Sequence, residues 1–154
     1  MDRHAGLDTY HWFFLAQPAD LPERLIGADP DYFLRWTLES WAGRPDAFDP
    51  RARAEYRRAF RDPDVIHATC EDYRAGATVD VEDDLADRDH RRRIACPVLT
   101  LWAEDKRAER GWDSVAIWRD WAQDVRGLPV PSGHFLPEEA PAETLAALQP
   151  FLAQ

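Results

Sequence analysis

Lysine is almost missing from this chain: Lys106 is the single one, and every other basic side chain is arginine. Basic residues are also outnumbered, 19 against 29 acidic, for a net charge of −10. That balance argues against nucleic acid or an anionic membrane surface as partner. A local field inside a pocket can oppose the net charge, so a small anionic substrate stays compatible. Cysteine is scarce too. Cys70 and Cys96 form no CxxC pair, so neither a zinc site nor a disulfide framework is indicated, and free thiols in a reducing compartment are the default. No charged segment followed by an apolar stretch opens the chain, and no apolar run approaches the length of a membrane span. A cytoplasmic location is the resulting expectation. Internal repeats and low-complexity linkers are absent.

What is present is enough to build a core: 45% of the 154 residues are hydrophobic, including seven Trp, which excludes a disordered chain. Up to residue 93 the sequence reads as helices separated by Pro and Asp turns. Leu7 to Ala16 is an aromatic-rich helix stopped by Gln17-Pro18. Asp20-Leu21-Pro22-Glu23 has the form of an N-cap and first turn, opening a short helix that ends at Gly27. Asp29-Pro30, Asp49-Pro50 and Asp62-Pro63 each start a further helix, the last running from about Asp64 to Gly76. An acidic, exposed helical stretch from Val79 to Arg93 follows.

From Ile94 the pattern changes. Val98-Leu99-Thr100-Leu101-Trp102 suits a buried parallel strand, and residues 112–125 carry apolar side chains at helical spacing. Gly127 ends that helix, Leu128–Pro131 forms a second strand, and residues 141–153 form the last helix. Strand, helix, strand, helix is an α/β unit with parallel strands. The fold class is therefore α/β and incomplete: a helical block over residues 1–93, then the closing edge of a sheet over 94–154.

The junction Ser132-Gly133-His134-Phe135-Leu136-Pro137-Glu138-Glu139-Ala140-Pro141 presents a histidine between a strand and a helix, at the rim of a sheet where an imidazole can move protons. The rival reading is a turn histidine satisfied by local backbone. Glu138 and Glu139 read as first-turn carboxylates favouring the helix dipole. His4, His67 and His90 read as isolated surface residues, and both cysteines as small apolar core groups.

Four segments carry a family resemblance: His11 to Pro18, Glu71-Asp72-Tyr73-Arg74-Ala75, Pro97 to Glu104, and Gly133 to Pro141. Together they resemble the C-terminal part of an α/β-hydrolase, and within that superfamily the haloacetate (fluoroacetate) dehalogenases. The resemblance implies that residues 1–93 are the helical cap and 94–154 the last part of the core. It implies hydrolytic dehalogenation: an aspartate displaces halide from a haloacetate, and a histidine-activated water hydrolyses the resulting ester. His134 matches that base. His11, Trp12 and Tyr73 match three cap residues that hydrogen-bond the leaving halide, and Trp41 matches a tryptophan lining the pocket entrance. For His11 and Trp12 the competing reading is aromatic packing of an amphipathic helix; for Tyr73 it is an ordinary buried tyrosine.

The resemblance also exposes a gap. No Gly-x-Asp/Ser-x-Gly elbow preceded by an apolar strand occurs in the 154 residues, and the nucleophile goes unassigned. The dehalogenases place their acid partner before the cap. Other α/β-hydrolases place it after the seventh strand, at the position of Lys106, with Asp105 one residue away as a substitute.

Three expectations follow. One is a dehalogenase half from a truncated or mis-started gene, inactive alone. Another is an epoxide-hydrolase-like or other relative. The last is a non-catalytic remnant or a half that pairs with a separate N-terminal chain, poorly soluble or oligomeric without it. The implied ligand is a small haloacid; the implied protein partner is a second copy or the missing half; no metal or organic cofactor is implied.

Overall fold

The computed structural model describes residues 3–104 and 112–153. They form two compact units. One comprises residues 3–36 and 51–86, the other residues 37–50, 87–104 and 112–153. Residues 37–50 group with the strands.

The first unit is helical: α1 (Arg3–Asp8), α2 (Tyr10–Leu15), α3 (Leu21–Ala28), most of α4 (Pro30–Trp41), α5 (Pro50–Phe60), α6 (Pro63–Ala77) and most of α7 (Val79–Asp89). The expected Leu7–Ala16 helix is broken at Thr9 into α1 and α2. Aspartates start the helices where their carboxylates meet free N–H groups: Asp29 accepts from Tyr32 N–H (3.0 Å), and Asp62 from Asp64 N–H (3.0 Å). Asp20 makes no such bond, so its expected capping role is corrected. Nor does Gly27 stop α3, which runs through to Ala28.

The core of this unit is Leu15, Ile26, Ile66 and Cys70, ringed by Phe14, Phe33, Phe60 and Tyr73. Each fully buried aliphatic contributes roughly 1.5–3 kcal/mol. α6 packs on both α2 and α3 and supplies two of the four central residues. Asp31 on α4 takes both Arg57 (2.6 Å) and Arg61 (2.5 Å) from α5, which holds its carboxyl far below the usual range.

The second unit contains two parallel strands, β1 (Val98–Ala103) and β2 (Val125–Val130), paired from Val98↔Val125 to Ala103↔Val130. α8 (Ser114–Arg119) packs on both strands and is capped by Asp113, which accepts from Ala116 N–H at 2.9 Å. α8 is much shorter than the periodicity predicts, since Ala122 bridges Ile94 instead of continuing the helix. β2 begins earlier than expected, and Gly127 lies inside it. A Cβ there would stand 2.6 Å from the Thr100 carbonyl and 2.8 Å from the Trp102 ring, so the neighbouring strand forbids any side chain. α9 (Leu136–Glu139) and α10 (Pro141–Leu152) close the chain.

The cysteines part company. Cys70 is fully buried and its thiol is pushed up, chiefly by burial; Cys96 is exposed, correcting its assignment to the core. In the native chain a thiol reagent should therefore modify Cys96 quickly and Cys70 only as fast as the first unit opens. Equal, rapid modification of both would contradict this packing. No helix among the described residues is long and apolar enough to cross a membrane.

Candidate active site

Two groups of predicted residues are brought together, one in each unit. In the first, His11 and Trp12 sit on α2 and Tyr73 on α6. Leu15 lies one turn beyond His11, and Cys70 one turn before Tyr73; both are buried in the same core, which turns the aromatic positions toward each other. The ring centroids of His11 and Tyr73 are 5.8 Å apart and those of Trp12 and Tyr73 5.3 Å, both edge-to-face; His11 and Trp12 are 6.4 Å apart. Tyr10 adds edge contacts to His11 (5.8 Å) and Trp36 (5.7 Å). Burial, reinforced by Asp72, pushes the Tyr73 phenol above its ordinary value, so it is a protonated donor at neutral pH. Trp12 is 52% exposed, which is unlike an indole placed to fill a core.

Arg74, next to Tyr73, was not singled out by sequence reasoning, yet it fastens this group. Its Nε–H donates to the Gln17 carbonyl just past α2 (2.7 Å). Its Nη1 and Nη2 reach Glu23 on α3 at 2.7 and 3.0 Å, and Nη1 also meets Glu71 at 2.5 Å. His67 touches the same Glu23 carboxylate at 3.1 Å, so it is not isolated. Glu23, His67 and Glu71 lie close enough together to ligate a cation, but the Arg74 guanidinium already pairs with both carboxylates.

The Arg74 hydrogen bond is the main reason the Glu23 carboxyl is lowered to about 2. A depressed folded value means that Glu23 adds stability above its unfolded value, near 4.3, and loses it as the pH falls through about 2. Acid unfolding of the wild-type chain should accordingly show a component between about pH 4.5 and 2. In Glu23→Gln that component should be gone; an unchanged acid limb would refute the assignment.

In the second unit, His134 follows β2 and is exposed. Its backbone N–H donates to the Trp41 carbonyl (3.2 Å), and its ring meets the Trp41 ring at 5.0 Å and 63°. Phe135 touches His134 (5.0 Å) and Phe48 (4.9 Å), giving the histidine an aromatic floor.

Glu139 is the second residue missed: it lies in the first turn of α9, as expected, but it does more than favour the helix dipole. It is buried, 9% exposed, and accepts three backbone N–H groups: Gly43 (2.8 Å) and Gly133 (3.0 Å) on Oε2, Phe135 (3.1 Å) on Oε1. Those bonds replace the hydration the charge has lost. No local pattern could reveal this, because Gly43 is 96 positions away in the chain. Asp105 and Lys106 lie outside the described residues. A shallow open groove beside Pro18, Asp20 and Arg24 holds none of the predicted residues.

No protein-family profile matches the chain. Among curated proteins, a fluoroacetate dehalogenase from Burkholderia sp. is 38% identical over 154 residues, covering 99% of this chain and 50% of that protein. A soluble epoxide hydrolase from Corynebacterium sp. (strain C12) is 29% identical over 146 residues, covering 93% of this chain and 49% of the relative. Among solved structures, a candidate α/β hydrolase from Nostoc sp. PCC 7120 is 53% identical with a TM-score of 0.91, covering 100% of this chain and 52% of its own. The chain spans about half the length of the curated relatives it matches. With helices followed by a two-stranded parallel sheet edge, the chain belongs to the α/β-hydrolase superfamily and corresponds to a C-terminal half of that fold, similar to fluoroacetate dehalogenase.

Proposed function

We propose that this polypeptide supplies the leaving-group cradle and the general base of a hydrolytic haloacetate dehalogenase, with the attacking carboxylate provided outside these 154 residues. The observation that supports this most is the gathering of one imidazole, one indole and one phenol on α2 and α6, with centroids 5.3–6.4 Å apart. Each offers a single N–H or O–H donor and none carries negative charge.

The chemistry needs such donors. A carboxylate oxygen attacks the α-carbon; the new C–O bond forms as the C–halogen bond breaks, and the halide leaves with the electron pair. Fluoride departs badly from a dry site unless donors replace its water. A positioned donor is worth about 10²–10³ in rate by analogy with oxyanion-hole groups. His134 then takes a proton from water, which attacks the ester carbonyl and regenerates the carboxylate, releasing the hydroxy acid. Trp41, edge-on to His134 in the same unit, would line the approach to the base. The reading also fits a half that acts only when joined to an N-terminal partner.

A second reading is epoxide hydrolysis, supported by the Corynebacterium relative. It uses the same ester chemistry, but its leaving group is an alkoxide that must be protonated, a task suited to Tyr73 and not to an indole.

The two are separated by a chimera that joins the N-terminal half of the Burkholderia dehalogenase to this chain, assayed with fluoroacetate, chloroacetate and an epoxide. Fluoride release is expected, with Trp12→Phe lowering kcat on fluoroacetate about 10²-fold and on chloroacetate less. Epoxide opening without defluorination would reverse the assignment.

A further inference from the structure

We propose that Glu139 is the positioning residue of His134, a role that rests on the reading of His134 as the base. Three successive backbone N–H groups, at residues 133, 134 and 135, are all committed. The outer two go to Glu139, and the middle one goes to the Trp41 carbonyl. The same Glu139 oxygen that takes Gly133 also takes Gly43, two residues past Trp41. One carboxylate therefore ties the histidine turn to the segment whose carbonyl and indole hold the histidine itself.

The fit leaves no slack. A Cβ at Gly43 would lie 2.8 Å from Glu139 Oε2 and 2.8 Å from the Gly133 nitrogen. One at Gly133 would lie 2.2 Å from the Gly43 nitrogen and 2.8 Å from Glu139 Oε1. Both glycines are needed for two backbones to close on a single carboxylate. A glutamine has nearly the same shape but turns one oxygen into an NH₂ group. Its carbonyl can keep two of the donors at most, and the NH₂ then faces an N–H. Carboxylate charge and acceptor count, not side-chain bulk, hold the turn. A turn released from Glu139 lets the imidazole leave Trp41, so the base loses its aim while remaining chemically intact.

The test is proton and nitrogen NMR of the full 154-residue chain as wild type, Glu139→Gln, Glu139→Asp and Gly43→Ala. In the wild type the His134 ring protons should carry a ring-current shift from Trp41. Glu139→Gln and Gly43→Ala should lose that shift, and amide exchange at Gly133 and Phe135 should speed up on the order of tenfold to a hundredfold. Glu139→Asp, which keeps the charge, should restore part of both. Folded Glu139→Gln with its His134 signals at the wild-type position would overturn the proposal. If that variant fails to fold, His134 signals at the wild-type position in folded Gly43→Ala would overturn it equally. These readouts need no turnover. Displaced His134 signals therefore support the positioning role even if fluoride release by the chimera fails, and that failure would fall on the dehalogenase reading alone.

Discussion

Alanine at Gly133 should destabilise the second unit by about 3–4 kcal/mol, combining an overpacking cost with the loss of hydrogen bonds to a buried carboxylate. The methyl would stand 2.2 Å from the Gly43 nitrogen and 2.7 Å from its Cα. Neither is the end of a flexible side chain that can swing away. Separation of the two backbones would break the Gly133 and Gly43 bonds to Glu139 together and leave a buried charge with one donor of its three. Urea unfolding followed by the near-ultraviolet signal of the tryptophans would measure the loss. Gly27→Ala is the control: nothing lies within 4 Å of a Cβ there, and Ala is the better helix former, so that change should be neutral or stabilising. A Gly133→Ala variant as stable as wild type would mean that the close approach around Glu139 is wrong.

Arg74→Ala should cost about 3 kcal/mol, this time in the first unit. Arg74 and Glu23 have side chains only 15% and 14% exposed, so truncating the guanidinium strands a nearly buried carboxylate. It also frees the Gln17 carbonyl and Glu71. A surface ion pair would be worth under about 1 kcal/mol, which is the magnitude expected for Arg58→Ala, whose Glu55 partner is exposed. The contrast between the two arginines is the check. In the double variant Glu23→Gln with Arg74→Ala, much of the loss should return, because no buried charge is left unpaired and Glu71 is exposed to water.

The elements were largely legible from residue order. Asp-Pro pairs announced α4, α5 and α6, because a proline at the first turn sacrifices no hydrogen bond and the aspartate serves free N–H groups. The Val98–Trp102 run announced β1 by its unbroken apolar character, although in this chain those residues are half-buried and Ala103 alone of the strand is fully buried. What failed was whatever depends on distant partners. Gly127 looked like a helix stop, but it is required by Thr100 across the ladder. Residues 120–124 kept helical spacing, yet Ala122 found a partner in Ile94. Glu139 had the signature of a dipole-favouring carboxylate at a helix start; only the fold reveals that Gly43 reaches it. The family resemblance pointed to His11, Trp12 and Tyr73 in the first unit and to Trp41 and His134 in the second. It passed over Arg74 and Glu139, the charged residues that hold them in place.

The central claim is that His134 serves the second half of an ester mechanism whose first half lies elsewhere. Mass spectrometry of the Burkholderia–chain chimera carrying His134→Ala, after incubation with fluoroacetate, tests it most directly. The account predicts a single equivalent of fluoride and a trapped carboxymethyl ester on the nucleophile of the N-terminal half, while the unaltered chimera turns over without accumulating it. Sustained fluoride release by the His134→Ala chimera, or by residues 1–154 alone, would contradict it.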